Sequence, residues 1–132
     1  MKLFHYTGTH HIDGIRQKGI RSGGLVVPTT AGNRIVRGWQ WLTDDPSWQQ
    51  GWATMETLDC DRTEVRFIVA IPKSHRNKLH RWDALSEMFA KWWVDDFREQ
   101  GGGDSSHWYV FQGPIPFGWT RGMEQRPVRV AS

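Results

Sequence analysis

The stretch Glu64-Val65-Arg66-Phe67-Ile68-Val69-Ala70-Ile71, closed by Pro72, decides the fold. Val65, Phe67, Val69 and Ile71 recur every second residue, as one face of a strand requires. Ile68 and Ala70 make the other face apolar too, and only Arg66 interrupts it. A strand apolar on both faces is covered on both, so residues 64–71 are expected near the centre of a sheet. Pro72 has no N–H to donate and ends the ladder.

Upstream, residues 2–7 mix β-branched and aromatic side chains and read as a strand. Thr9 is expected as the N-cap of a helix over 10–18, with Ile12 and Ile15 on one face and Gly19 as the stop. Gly14 weakens that helix by about 1 kcal/mol relative to Ala and suggests close packing against a strand. Residues 21–37, with Gly23-Gly24, Pro28 and Gly32-Asn33, read as loop around a short strand at 25–27. Residues 39–43 read as a second strand. Asp45-Pro46 reads as a cap with proline at the first helical position, opening a helix to about Met55.

Downstream, Asp83 is expected to cap the longest helix, 84–100. Leu85, Met88, Phe89, Trp92, Trp93 and Phe97 recur at helical spacing, and Gly101-Gly102-Gly103 stops it. Residues 107–112 form another expected strand, 114–118 a turn, and 119–123 and 128–130 the last strands. Strands and helices mix without βαβ regularity. The expectation is one α+β domain over 1–132, with mainly antiparallel sheets flanked by helices.

Composition narrows the function classes. The 132 residues carry 17 Lys+Arg and 14 Asp+Glu, a net charge of 17 − 14 = +3, with a pI near 9.4. That balance excludes a disordered acidic or basic tail. One cysteine, Cys60, excludes an intramolecular disulfide framework and a Cys-rich zinc site. His10-His11 are adjacent and expected to point apart on a helix, and His75 and His80 are five apart, so no metal is expected. Neither a membrane-spanning run nor a signal peptide is read, and a cytoplasmic location is expected. Nine tryptophans are unusual for this length. Each either packs the core or presents an indole to a flat ligand. There is no Gly-x-Gly-x-x-Gly and no P-loop.

Three blocks carry a family resemblance. The segment from Leu3-Phe4-His5-Tyr6-Thr7 through Gly14-Ile15-Arg16-Gln17-Lys18-Gly19-Ile20 resembles the first NAD-binding block of the ADP-ribosyltransferase superfamily: a strand with His, then Ser/Thr, then a helix ending in a Gly-Ile pattern. Trp39-Gln40-Trp41-Leu42-Thr43-Asp44 resembles the family's Gly-Ile-Tyr-Phe-Ala-Asp strand, with Trp41 at the nicotinamide-contacting tyrosine and Trp52 at the later aromatic position. His107-Trp108-Tyr109-Val110-Phe111-Gln112 resembles the strand that begins with the catalytic glutamate, but His107 stands in its place. The likeness reaches both poly(ADP-ribose) polymerase catalytic domains and smaller DarT-type toxins. It implies a split, mainly antiparallel fold and transfer of ADP-ribose from NAD, as co-substrate, to a nucleic-acid or protein acceptor.

The chemistry asks for these residue types. Breaking a nicotinamide–ribose bond needs aromatic faces for a cationic ring, hydrogen bonds to ribose hydroxyls and cations near a pyrophosphate. His5, Trp41 and His107 are the expected catalytic residues. His5, Tyr6, Thr7, Arg21, Trp41 and Trp52 are expected to hold NAD, and Arg34 and Arg37 are alternatives to Arg21. Glu124 is a candidate displaced acid, while Glu87 is expected to be solvated. Arg62, Arg66, Lys73, Arg76, Lys78 and Arg81 are either a solvated face or a phosphate-facing surface. A non-catalytic module binding NAD, ADP-ribose or nucleic acid is the second reading, and RNA 2′-phosphotransfer a third.

Overall fold

The structure, a computed structural model, describes residues 2–48, 63–100 and 104–127. In chain order its elements are β1 (Leu3–Thr7), α1 (Ile12–Lys18), β2 (Gly24–Thr29), β3 (Gly32–Arg37), β4 (Trp39–Thr43), β5 (Val65–Val69), β6 (Leu79–Arg81), α2 (Trp82–Ser86), α3 (Lys91–Gln100), β7 (Trp108–Gln112) and β8 (Thr120–Gln125). Six strands make one sheet in the order β6-β7-β4-β1-β5-β8, and β2 with β3 makes a separate hairpin. Every recorded pairing is antiparallel. The mixed, mainly antiparallel architecture with few helices agrees with the α+β expectation.

The strand that decides the fold lies inside the sheet, between β1 and β8. Val65, Phe67 and Val69 are fully buried on one face. Phe67 and Val69, with Leu3, Leu42, Tyr109 and Phe111, pack against Ile15 of α1 and against Ile20 and Ile115. The opposite face packs against the two C-terminal helices and the hairpin, through Leu25, Trp82, Trp93, Val94, Trp108 and Val110. Strand parity assigns each side chain to one of these layers.

The sheet is parted in its middle. β1 runs in register with β5 from Leu3↔Val69 to Thr7↔Val65, and β4 with β7 from Trp39↔Gln112 to Thr43↔Trp108. Between β1 and β4 a single registered pair, Phe4↔Thr43, remains. Past Phe4, no residue of β1 is registered with β4.

Several expectations are corrected. Thr9 is not a side-chain cap: it opens a 3₁₀ turn over Thr9–His11, and α1 begins only at Ile12. The Thr9 N–H goes instead to the Glu64 carboxylate at 3.2 Å. In that turn the His10 and His11 rings do not point apart but lie 3.9 Å from one another. Gly14 faces open space, so it marks no close packing. Gly19 does stop the helix, at φ +78°, and a Cβ there would lie 2.4 Å from the Ile115 carbonyl oxygen.

Residues 21–37 are mostly a β-hairpin, not loop. Val26, Val27, Ile35 and Val36 supply β-branched side chains that outweigh Pro28 and the glycines. Residues 45–48 are not helical, because the carbonyls of Asp45, Pro46 and Ser47 are taken by side chains of β1 and β5. The remainder of that expected helix lies outside the described residues, as do Trp52, Cys60, Arg62 and the expected strand at 128–130.

The expected helix over 84–100 is two helices with a turn between them. Asp83 lies within α2, where Ser86 Oγ donates to its carbonyl at 2.8 Å. Its carboxylate accepts from Ser105 Oγ and from Arg98 Nη2. Drawing Arg98 back to Asp83 folds α3 against α2, which a straight helix forbids. Met88, on the expected apolar stripe, is consequently 80% exposed in the turn.

Candidate functional site

The strand β1 alternates between the layers. Its registered pair with β4 puts Phe4 and Tyr6 on the face of Thr43 and Trp41, and leaves His5 and Thr7 on the face of Leu42 and Asp44. By the same parity His107, just before β7, joins the His5 face. The structure therefore brings His5, Thr7 and His107 to one face of the parted sheet, and sends Trp41 and Tyr6 to the other.

His5 is half-buried, and its Nδ1 lies 3.0 Å from the Trp41 carbonyl oxygen. A carbonyl only accepts, so Nδ1 carries the hydrogen and donates across the parting. Thr7 is buried and registers with Val65. Next to His5 on this face, its partner Phe67 forms the floor of a shallow groove shared with Arg16, Phe117, Gly118, Thr120 and Met123.

Trp41 is no open platform. Its ring stacks on Phe97 at 6.0 Å, meets Trp108 edge-on, and its Nε1 donates to the Gly24 carbonyl at 3.0 Å. Phe97 also lies against Trp82 and Trp93, at 5.1 and 5.2 Å. Most tryptophans thus build one aromatic layer under the helices, and Trp92 alone among the described ones is exposed, at 73%.

His107 is half-exposed, and its Nδ1 lies 2.5 Å from Asp44 Oδ1. The carboxylate accepts the Nδ1 hydrogen, which leaves Nε2 as the nitrogen able to take a proton. The hydrogen bond to Asp44 raises the imidazole pKa above its ordinary value, opposed by slight desolvation and helped by the charges of Asp44, Asp104 and Asp45. Tyr109 OH makes a long contact of 3.4 Å to Asp44 Oδ2. Burial and the Asp44 charge push the phenol pKa up, so it stays protonated. Arg81 donates to the Ser106 carbonyl at 2.9 Å and reaches Tyr109 OH at 3.5 Å.

The remaining candidates disperse. Arg21, Arg34 and Arg37 are exposed, and Arg34 and Arg37 occupy positions of opposite parity on β3, so they do not converge. Lys73, Arg76 and Lys78 form an exposed 3₁₀ turn. Arg66 is not part of any such surface: it is buried on the Trp41 face, stacked between Phe4 at 4.5 Å and Trp48 at 4.3 Å. Its Nε donates to Glu124 at 3.0 Å. Glu124 is thereby committed to an ion pair on the face away from His5. Among the described residues no three His, Cys, Asp or Glu side chains gather as metal ligands, and no helix is long and apolar enough to cross a membrane.

Sequence reasoning quoted Asp44 in its block without giving it a role, and missed the buried role of Arg66. The signal for Asp44 was available. Two expected antiparallel strands, 39–43 and 107–112, put position 44 opposite position 107 once their ends are aligned. The signal for Arg66 was a lone charge in a strand covered on both faces, where a guanidinium needs partners. The chain matches no protein-family model, no curated protein and no solved structure.

Proposed function

We propose that this protein is an NAD-dependent ADP-ribosyltransferase on a split antiparallel sheet, with His107, backed by Asp44, in the role of the missing glutamate. The observation that carries the reading is the one sheet face shared by His5, Thr7 and the Asp44–His107 pair, with His5 at the parting of β1 from β4. Support for nicotinamide stacking on Trp41 is withdrawn by that ring's burial under Phe97, and Tyr6 is likewise turned away.

In the reaction the ribose C1′–nitrogen bond breaks and its electron pair leaves with neutral nicotinamide. An acceptor hydroxyl or amine forms the new bond to C1′ and gives up its proton. His107 Nε2 is the atom on this face suited to take that proton, and Asp44 stabilises the imidazolium that results. His5, fixed by the Trp41 carbonyl, is the group that addresses a ribose hydroxyl. The acceptor is a macromolecule, nucleic acid or protein.

The test is incubation with labelled NAD and a mixture of protein, DNA and RNA. Release of free nicotinamide with label in one fraction is the expected result. NAD binding without nicotinamide release supports the binding module instead, and no binding at several millimolar NAD, weaker than about −4 kcal/mol, ends both readings.

A further inference from the structure

We infer that Arg66 and Tyr6, on the face away from the reaction, are positioning residues for the Asp44–His107 pair; the inference rests on the site reading above. The coupling runs through the turn that follows β4. Tyr6 OH lies 3.1 Å from the Asp45 carbonyl oxygen and 2.8 Å from that of Ser47, and donates its hydrogen to them. Arg66 Nη1 donates to the Pro46 carbonyl and to Tyr6 OH. Three consecutive carbonyls directly after Asp44 are thus held by two side chains of the neighbouring strands.

The clamp is itself fixed. Arg66 lies between the rings of Phe4 and Trp48 and is ion-paired with Glu124. Trp48 meets Tyr6 edge-on at 5.7 Å. Inside the turn, Asp45 N–H donates to Thr43 Oγ1 at 3.1 Å and Ser47 N–H to Asp45 Oδ1 at 2.9 Å. Asp44 leaves β4 through its own N–H, which donates to the His107 carbonyl at 3.2 Å. Beyond that bond and the contacts of its carboxylate with His107 and Tyr109, the direction of that carboxylate depends on the turn the clamp holds. A buried guanidinium with several acceptors and two flanking rings is a costly arrangement for merely closing a loop. Its placement behind the residue that orients His107 gives it a task.

Among the described residues, a small set of charged and polar groups surrounds His107. Asp44 and Asp45 come from the end of β4, Asp104 and Ser106 from its own segment, Tyr109 from β7, and Arg81 from β6. Of these, Asp44 makes the hydrogen bond to the ring, so the His107 titration reports where that carboxylate points.

The experiment is a proton-detected titration of the His107 ring in the full chain, compared among wild type, Asp44→Asn, Tyr6→Phe and Arg66→Lys. It needs no substrate. Asp44→Asn sets the value of the uncoupled ring. Tyr6→Phe and Arg66→Lys are expected to move the His107 midpoint down toward that value while the chain stays folded. A folded Tyr6→Phe chain with the wild-type midpoint overturns the inference, and decides the matter even if Arg66→Lys does not fold. A chain that shows the shift yet releases no nicotinamide from NAD retains the clamp and loses the proposed activity.

Discussion

Asp44 Oδ1 and His107 Nδ1, sixty-three residues apart in the chain, meet at 2.5 Å across the end of the β4–β7 ladder. The pair turns an exposed imidazole into a directed one. Its proton-accepting nitrogen is selected by the carboxylate behind it, and its charged form is favoured.

Transfer should therefore fall as pH drops through a His107 value lying above that of an ordinary imidazole, since imidazolium cannot accept a proton. His107→Ala should slow transfer by roughly 10²–10⁴, and His107→Glu should flatten the pH profile because a carboxylate is already ionised. Rates that stay level between about pH 5.5 and 8 in both wild type and His107→Ala would remove His107 from the chemistry. The linked effect on stability has the opposite sense. A group whose pKa is raised on folding stabilises the protein below its unfolded value and loses that contribution as pH rises through the folded value. With the ring half-exposed, solvent screens this effect, so denaturation midpoints should shift only slightly across that range.

His5→Ala should cost about 0.5–1.5 kcal/mol of stability, the net worth of one hydrogen bond, and leave a folded chain. NAD affinity should fall by roughly tenfold or more, as loss of about 1.4 kcal/mol or more requires. Calorimetric titration of the folded variant checks this. Unchanged affinity would make His5 a strut between β1 and β4 and nothing else.

Trp82 is fully buried, yet its Nε1 has no hydrogen-bond partner among the described residues. An unpaired buried donor costs about 1–3 kcal/mol. Trp82→Phe should thus be close to neutral, within about 1.5 kcal/mol, because removing the N–H offsets the lost ring area. Trp82→Ala should cost about 3–5 kcal/mol. Equal losses in urea titrations of the two variants would show that the indole N–H is satisfied in solution.

Gly19→Ala should destabilise by about 2 kcal/mol or more. The backbone is at φ +78° and the new methyl would meet the Ile115 carbonyl oxygen at 2.4 Å. That carbonyl also accepts from Ile20 N–H at 2.8 Å, so relaxation would break the bridge between Ile20 and Ile115. A thermal midpoint within a degree of wild type would contradict this.

The fold was legible wherever periodicity was strong. The strands at 3–7, 39–43 and 108–112 follow from short aromatic and β-branched runs and that at 65–69 from its two-residue period, and Gly19 ends its helix where a glycine is needed. The hairpin at 24–37 was obscured because its β-branched residues are interspersed with glycine and proline, which favour turns locally but are tolerated in a two-stranded ribbon. The long helix was misread because Leu85, Met88, Trp92 and Phe97 satisfy a helical stripe. The ion pair of Asp83 with Arg98, which breaks it, depends on a fold-back that periodicity does not encode.

The sequence blocks single out candidate residues but not the parity that groups them on a face. His5 and His107 were identified from their blocks, and they do share a face. Trp41 was placed by the same kind of spacing, yet which side of a strand faces a parting depends on its register with the neighbour. One residue of register reverses the answer. That register, Phe4 against Thr43, is a relation between two strands and cannot be read inside a six-residue block.

The single registered pair between β1 and β4 also has a mechanical consequence. The sheet behaves as two three-stranded blades, β6-β7-β4 and β1-β5-β8, whose ladders meet at one registered pair and are otherwise tied by side chains, His5 to the Trp41 carbonyl and Tyr6 and Arg66 to the turn after β4. Amides within a blade open only when that blade does, whereas those along the seam open with local separation of the blades. Hydrogen exchange should accordingly sort the strands by blade, with seam-facing amides of β1 and β4 exchanging ahead of those of β5 and β7. A molecule that closes on the seam from either face would slow that early class and leave the interior of each blade as it was.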